Sequence, residues 1–250
     1  MNPYDKYWKD KYDILAAKDL ADWQKSYWWD YREIINQHKF LLRQLEGYIP
    51  GRSMVVDIGC GPGVSSRLLS SLGYQVVGLD FSWNTVKQAV KSSESHRNVY
   101  LQADANFLPW KGESFDIALA LGIFQMASDT SREIKEAHRI LKPGGKVIIS
   151  TPIRYRVWEL PFYPIYCLMT CDGFPDHQTL QVKMVKQRET VPPRPSDPQS
   201  DIIKRHPISF INKLLLEAGF KDIIVRYPGR ITILPYLVNS VMVHISAVKK

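Results

Sequence analysis

The chain has only three cysteines in 250 residues, an odd number that builds no disulfide framework and points to a reducing interior. Cys167 and Cys171 have no companion His or Cys at zinc spacing, so no metal site is expected. No apolar run approaches the roughly 18 residues of a membrane-spanning helix. The first residues, Met1-Asn2-Pro3-Tyr4-Asp5-Lys6, lack the apolar core of a signal peptide, which makes the cytoplasm the expected compartment. There is no internal repeat, and only residues 191–198 are biased enough to be read as a loop from composition. What is present is a 45% hydrophobic chain, long enough for a single well-buried domain over residues 1–250.

Charge is distributed unevenly. Lys and Arg against Asp and Glu number 8 and 8 in residues 1–50, 11 and 9 in 51–150, and 14 and 8 in 151–250. The net excess of +8 therefore lies mostly in the last third. A basic third suits nucleic acid, anionic lipid or an acidic substrate, and equally a merely solvated surface.

The most informative stretch is Val55-Val56-Asp57-Ile58-Gly59-Cys60-Gly61-Pro62-Gly63, a buried strand that breaks into a glycine-rich turn opening a helix. Glycines at 59, 61 and 63 remove the Cβ atoms that would hold a ligand off the backbone, and the helix start offers free N–H groups. A second apolar strand, Gln75 to Leu79, ends in Asp80, 21 residues after Gly59, where a carboxylate can take both hydroxyls of a ribose. The dinucleotide fingerprint G-x-G-x-x-G is not met, because Val64 stands at the third glycine's position.

Residues 5–46 read as helical, ended by Gly47 and Pro50, and strands alternate with helices from 54 to 150, the pattern of a doubly wound α/β sheet. Residues 152–207 hold nine of the 16 prolines and read as an insertion or lid. An amphipathic helix, Ser209 to Phe220, follows, then strands over Lys221–Tyr227 and near Asn239–Val248.

Residues 55–63 resemble the first motif of class I S-adenosylmethionine-dependent methyltransferases. Three more segments are similar to that family in order: Asn98 to Trp110 with its Asp104-Ala105 turn, the strand Ser114 to Leu121, and Glu136 to Ser150 with Leu141-Lys142-Pro143-Gly144-Gly145. The resemblance covers residues 54–151 and implies a Rossmann-like, seven-stranded, mostly parallel sheet, here with amino-terminal helices (1–50), a cofactor core (54–151), the insertion (152–207) and a carboxy-terminal helix and strands (208–250). It implies S-adenosylmethionine as cofactor. Gly59, Cys60, Gly61 and Gly63 would line the methionyl part and Asp57 would meet its ammonium. Asp80 would hold the ribose, Phe81 would lie against adenine, Asp104 and Ala105 would read the adenine edge, and Leu121 and Gly122 would close the other wall.

Each of these residues has an ordinary alternative: a strand-end turn for Asp80 and Asp104, core packing for Phe81, a small filler for Cys60. Many relatives place His-His where Gln125 and Met126 stand, so the usual histidine base is missing. Tyr4, Tyr7, His177 and His206 remain as candidates for positioning or proton removal, each with an ordinary structural alternative. Tyr27 and Trp28 belong to an aromatic stretch that reads either as a lid over sulfonium and acceptor or as a helix packed on the sheet. Trp158 and Phe162 lie in an aromatic, basic segment similar to methyltransferases of lipid-linked or quinol acceptors, suited to a pocket lid or to peripheral membrane contact.

The Asp/Asn-Pro-Pro-Tyr motif of many nucleic-acid amino-methyltransferases is absent after the fourth strand, where Leu121-Gly122-Ile123-Phe124 stands. A small acceptor, aromatic or hydrophobic and methylated on oxygen, is the first expectation, and nucleic acid is not favoured as a partner. N- or C-methylation of a lipid-linked or quinol acceptor at a membrane surface, and a catalytically silent binding protein, stay open, as does the oligomeric state.

Overall fold

The computed structural model describes residues 3–17, 31–93, 98–153, 206–226 and 241–250. Among the described residues two helices, α1 (Pro3–Ala16) and α2 (Tyr31–Gln44), precede β1 (Met54–Ile58), α3 (Val64–Ser71), β2 (Gln75–Asp80), α4 (Trp83–Lys91), β3 (Asn98–Gln102) and β4 (Phe115–Leu121). Then come α5 (Thr130–Ile140), β5 (Leu141–Ile153), α6 (Ile208–Ala218), β6 (Phe220–Arg226) and β7 (Val241–Lys249). The strands form one seven-stranded sheet in the order β3-β2-β1-β4-β5-β7-β6. β1 to β5 run parallel, and β7 is antiparallel to both neighbours.

The central strands are apolar on both faces because helices cover both. Ile134, Ala137 and Ile140 of α5 and Ile211 and Leu215 of α6 pack one face around Val56, Phe115 and Ile149. Phe40, Leu41 and Leu45 at the end of α2 and Leu69 of α3 pack the other around Val55, Ile117 and Ile148. Continuous Val, Ile and Leu runs, rather than alternation, are what two covered faces require.

Polar contacts also fasten α2 to the sheet. Phe40 stacks on His244 at 5.1 Å between centroids, and Ser246 Oγ donates to Gln44 Oε1 at 2.8 Å. His244 in turn shares a 2.9 Å hydrogen bond with Ser150, and Lys146 Nζ donates to the Gln44 carbonyl at 2.8 Å.

The chain leaves β1 towards β2 on one side and later returns to place β4 on the other. A crevice opens at the carboxyl ends of β1 and β4, where the strand order reverses.

Some boundaries differ from the sequence reading. The described parts of the amino-terminal segment are helical, as expected over 5–46, at Pro3–Ala16 and Tyr31–Gln44, and residues 18–30 lie outside the described residues. The last two strands begin and end within two residues of expectation. The expected turn at 141–145 lies inside β5: Leu141 pairs with Phe115, pairing resumes at Lys146 with Ile117, and Gly144 takes a φ of 75° in the bulge between them. The 152–207 insertion lies almost wholly outside the described residues. Among the described residues no helix is long and apolar enough to cross a membrane.

Candidate active site

At the end of β1, Asp57 is 2% exposed and accepts a 2.6 Å hydrogen bond from Ser66 Oγ. Burial raises its carboxyl to about 6, the Ser66 bonds oppose the rise, and the neighbouring Asp80 adds to it. The turn that follows holds Gly59, Gly61 and Gly63 at φ of 69°, 54° and 79°, values that favour glycine. A Cβ on Gly59 would sit 2.2 Å from Ile123 Cγ2, so glycine is also required there by the facing wall.

Asp80 ends β2 beside this turn. One carboxylate oxygen accepts from the Gly61 N–H at 3.0 Å and the other from the Ser82 N–H at 2.9 Å. Asp80 is partly exposed toward the crevice, but the protein around it raises its carboxyl to about 6; the Ser82 and Gly61 donors oppose that, and the Asp13 charge adds to it. Each oxygen has a lone pair left beyond its backbone contact, which is what a vicinal diol needs.

One cavity gathers these groups. Its lining includes Asp57, Gly59, Cys60, Gly61, Asp80, Phe81, Asp104, Ala105, Leu121, Gly122 and Met126, all singled out from sequence. Asp104 Oδ1 also closes a local turn by accepting from Asn106 N at 2.8 Å and Nδ2 at 3.0 Å, so its turn role and its cavity position coexist. Cys60 is buried, and burial, with the charges of Asp57 and Asp80, pushes its thiol well up, which suits a filler and not a nucleophile.

Gly63 lies outside the lining. It precedes α3 as the N-cap residue, and a Cβ there would lie 2.7 Å from the Tyr100 hydroxyl. Gln125 is 1% exposed, donates to the Gly122 carbonyl at 2.7 Å and stands behind the wall rather than on it. His206 is likewise away from the lining; it stacks on Phe210 at 4.6 Å. Tyr4 and Tyr7 fall on α1, with side chains outside the described residues, as are Tyr27, Trp28, Trp158, Phe162 and His177 altogether.

The structure adds residues that the sequence reading did not assign to the site. From α1, Lys9 and Tyr12 reach the cavity, and the Tyr12 hydroxyl donates to Met126 Sδ at 3.2 Å. Asp13 fastens that helix: its carboxylate takes Lys9 Nζ at 2.7 Å, the Ser82 hydroxyl and the Asn84 N–H at 3.3 Å. From α2 come Gln37 and His38; from beyond β3, Asn106; from α5, Glu133. Gln37 Nε2 and Asn106 Oδ1 are buried without a hydrogen-bond partner. His38 Nε2 lies 3.1 Å from Ser65 Oγ, and burial lowers its pKa below the ordinary 6.5. A signal for Gln37 was available: a glutamine placed three and four residues before Phe40 and Leu41 shares the apolar face of α2.

Among the described lining residues there are four carboxylates, Asp57, Asp80, Asp104 and Glu133, against a single Lys or Arg, Lys9, which is already paired. Such a cavity suits a positively charged ligand with a diol. The glycine turn admits it close to the backbone, Phe81 and Leu121 offer apolar surface for a planar ring, and the unpartnered Asn106 Oδ1 lacks only a donor such as an amino group. S-Adenosylmethionine has all these features.

Comparison with known proteins agrees with this geometry. The methyltransferase domain family model matches residues 56–149. A demethylmenaquinone methyltransferase of Staphylococcus epidermidis is 30% identical over 189 residues, 70% of this chain and 70% of that protein. A malonyl-[acyl-carrier protein] O-methyltransferase of Pseudescherichia vulneris is 33% identical over 111 residues, 42% of this chain and 43% of that one. The chain thus spans less than half the length of several curated relatives that it matches. A Haemonchus contortus phosphoethanolamine N-methyltransferase in complex with S-adenosyl-L-methionine superposes with a TM-score of 0.64 at 18% identity, over all of this chain and 60% of that one, a likeness of fold. With the glycine turn, the acidic strand ends and a relative of 30% identity matched over 70% of its length, the chain belongs to the class I S-adenosylmethionine-dependent methyltransferases.

Proposed function

We propose that this protein binds S-adenosylmethionine in the β1–β4 crevice and transfers its methyl group to a small acceptor, with oxygen as the favoured acceptor atom. The observation that carries the reading is the acidic, glycine-walled cavity, with four carboxylates against one paired lysine among the described lining residues. Asp80 would take the ribose hydroxyls and Asp57 the ammonium, directly or through water. Phe81, Asp104, Ala105 and Asn106 would surround the adenine, while Leu121 and Gly122 hold the opposite wall. When bound, the cofactor supplies a methyl group on a positive sulfur, open to in-line displacement. The protein's part is mostly to hold the acceptor against that methyl and to exclude water, and positioning of this kind is worth up to roughly 7–11 kcal/mol.

Oxygen is favoured because the described lining holds hydrogen-bonding groups on α2 beside the acidic wall. A second reading, methylation of a quinol or lipid-linked acceptor, is supported by the longer match to a demethylmenaquinone methyltransferase. Incubating the protein with S-adenosylmethionine and panels of phenols, quinols and polyprenyl-linked acceptors tests both, with formation of S-adenosylhomocysteine as the readout. Turnover that depends on a soluble phenol supports the first; turnover confined to polyprenyl acceptors in vesicles supports the second. Binding of S-adenosylhomocysteine without turnover of any acceptor would point instead to a binding protein.

A further inference from the structure

One part of the cavity is lined by neighbouring residues on α2. Gln37 is 5% exposed, lines the cavity, and has its Nε2 buried with no hydrogen-bond partner in the protein. An amide N–H left so is satisfied when a ligand oxygen reaches it. Beside it, His38 lines the same cavity and meets Ser65 Oγ at 3.1 Å. Both sit on a helix fixed to the sheet by Leu41, by the Phe40–His244 stack and by the Ser246–Gln44 hydrogen bond, so their positions are set before any ligand arrives.

The charge of the cavity narrows what that oxygen belongs to. An acceptor methylated on a carboxylate arrives ionised, needs no base and needs a cation to meet it. Among the described lining residues the only Lys or Arg is Lys9, and its ammonium is 2.7 Å from Asp13. Asp57, Asp80, Asp104 and Glu133 would all repel a second anion. A neutral hydroxyl meets no such repulsion, but it must lose its proton as it is methylated. That calls for a base in the cavity; Asp57 and Asp80 are assigned above to the cofactor, and His38 is the described imidazole there.

We propose that Gln37 and His38 form an acceptor subsite for a neutral hydroxyl compound, in which Gln37 Nε2–H donates to an oxygen of the acceptor and His38 takes the proton of its reacting hydroxyl. The proposal rests on the methyltransferase reading above. In the tautomer whose Nε2–H donates to Ser65 Oγ, Nδ1 carries the lone pair that accepts the proton. The acceptor oxygen exchanges its O–H bond for an O–CH3 bond. The positive charge lost from sulfur reappears on the imidazolium, until water removes the proton. Burial of His38 keeps the imidazole neutral and available near pH 7.

The test uses the wild-type protein and His38→Gln and Gln37→Leu variants. Each is titrated with S-adenosylhomocysteine by calorimetry, and the wild-type complex is then exposed to naphthohydroquinone or to malonyl N-acetylcysteamine thioester. The His38 ring C–H signals, identified by their loss in His38→Gln, are followed by NMR. The proposal predicts that naphthohydroquinone shifts these signals and that the malonyl thioester does not. It also predicts that His38→Gln lowers kcat for naphthohydroquinone by about a hundredfold or more with S-adenosylhomocysteine affinity kept, as removal of a general base does. Gln37→Leu raises KM with kcat largely kept. Unmoved His38 signals, unchanged kcat in His38→Gln, or preference for the malonyl thioester would overturn it. Failure of the wild-type protein to bind S-adenosylhomocysteine would overturn the cofactor reading instead.

Discussion

Asp57 and Asp80 bring two carboxyl groups to the same wall, both raised to about 6 chiefly by burial. The folded state therefore keeps protons that the unfolded chain has lost, and stability from this pair falls as pH rises from the ordinary value of 3.8 to about 6. Above that window the unliganded protein carries a strained anionic pair that a cationic ligand relieves. Asp57→Asn, which keeps an oxygen for Ser66, is expected to raise the melting temperature of the unliganded protein at neutral pH while weakening cofactor affinity. A thermal scan with and without S-adenosylmethionine checks both, and a drop in both would mean that Asp57 is purely structural. Asp80→Ala removes hydrogen bonds to a charged group and should weaken cofactor binding by about 1.5–3 kcal/mol; unchanged affinity in calorimetry would refute the ribose assignment. At this scale the sequence was most legible where chemistry is local. The glycines and strand-end acids announce themselves by type and spacing, whereas Gln37, His38 and Glu133 reach the cavity only because distant elements carry them there.

Polar contacts from Asp13 help to hold helix α1 at the crevice, beside the Tyr12–Met126 hydrogen bond. Asp13 accepts from the Ser82 hydroxyl and the Asn84 N–H, and so acts at the amino end of α4 while Lys9 braces it from one turn earlier. Burial raises the Asp13 pKa, but the hydrogen bonds from Lys9, Ser82 and Asn84 outweigh it and the net shift is downward. Ser82 also donates its backbone N–H to Asp80, so the residue that anchors the helix touches the proposed ribose site. Asp13→Ala is expected to cost about 1 kcal/mol, as loss of a cap does, and to speed S-adenosylhomocysteine dissociation in stopped-flow fluorescence; an unchanged rate would show that α1 does not cover the ligand. The strands of the core were legible from their apolar runs and the helices from their period. The docking of α1 was not, since Asp13 and Ser82 are 69 residues apart in sequence and neither stands out by type. The aromatic stretch at 27–31, expected as lid or packed helix, lies almost entirely outside the described residues; among the described residues, α1 brings Lys9 and Tyr12 to the cavity lining.

For the whole molecule, the reversal of strand order between β1 and β4 decides where a ligand goes. The sheet could be anticipated through the fifth strand because four motifs occur in order along one continuous segment. The acceptor could not be named, since the cavity draws lining residues from α1, α2 and α5, far apart in sequence, and the proline-rich 152–207 segment follows no regular period. The central claim is that the acidic crevice holds S-adenosylmethionine rather than a nicotinamide dinucleotide. Calorimetric titration of the purified protein with S-adenosylmethionine, S-adenosylhomocysteine and NADH tests it most directly. The account predicts micromolar binding of the first two and none of NADH; binding of NADH, or of none of the three, would contradict it.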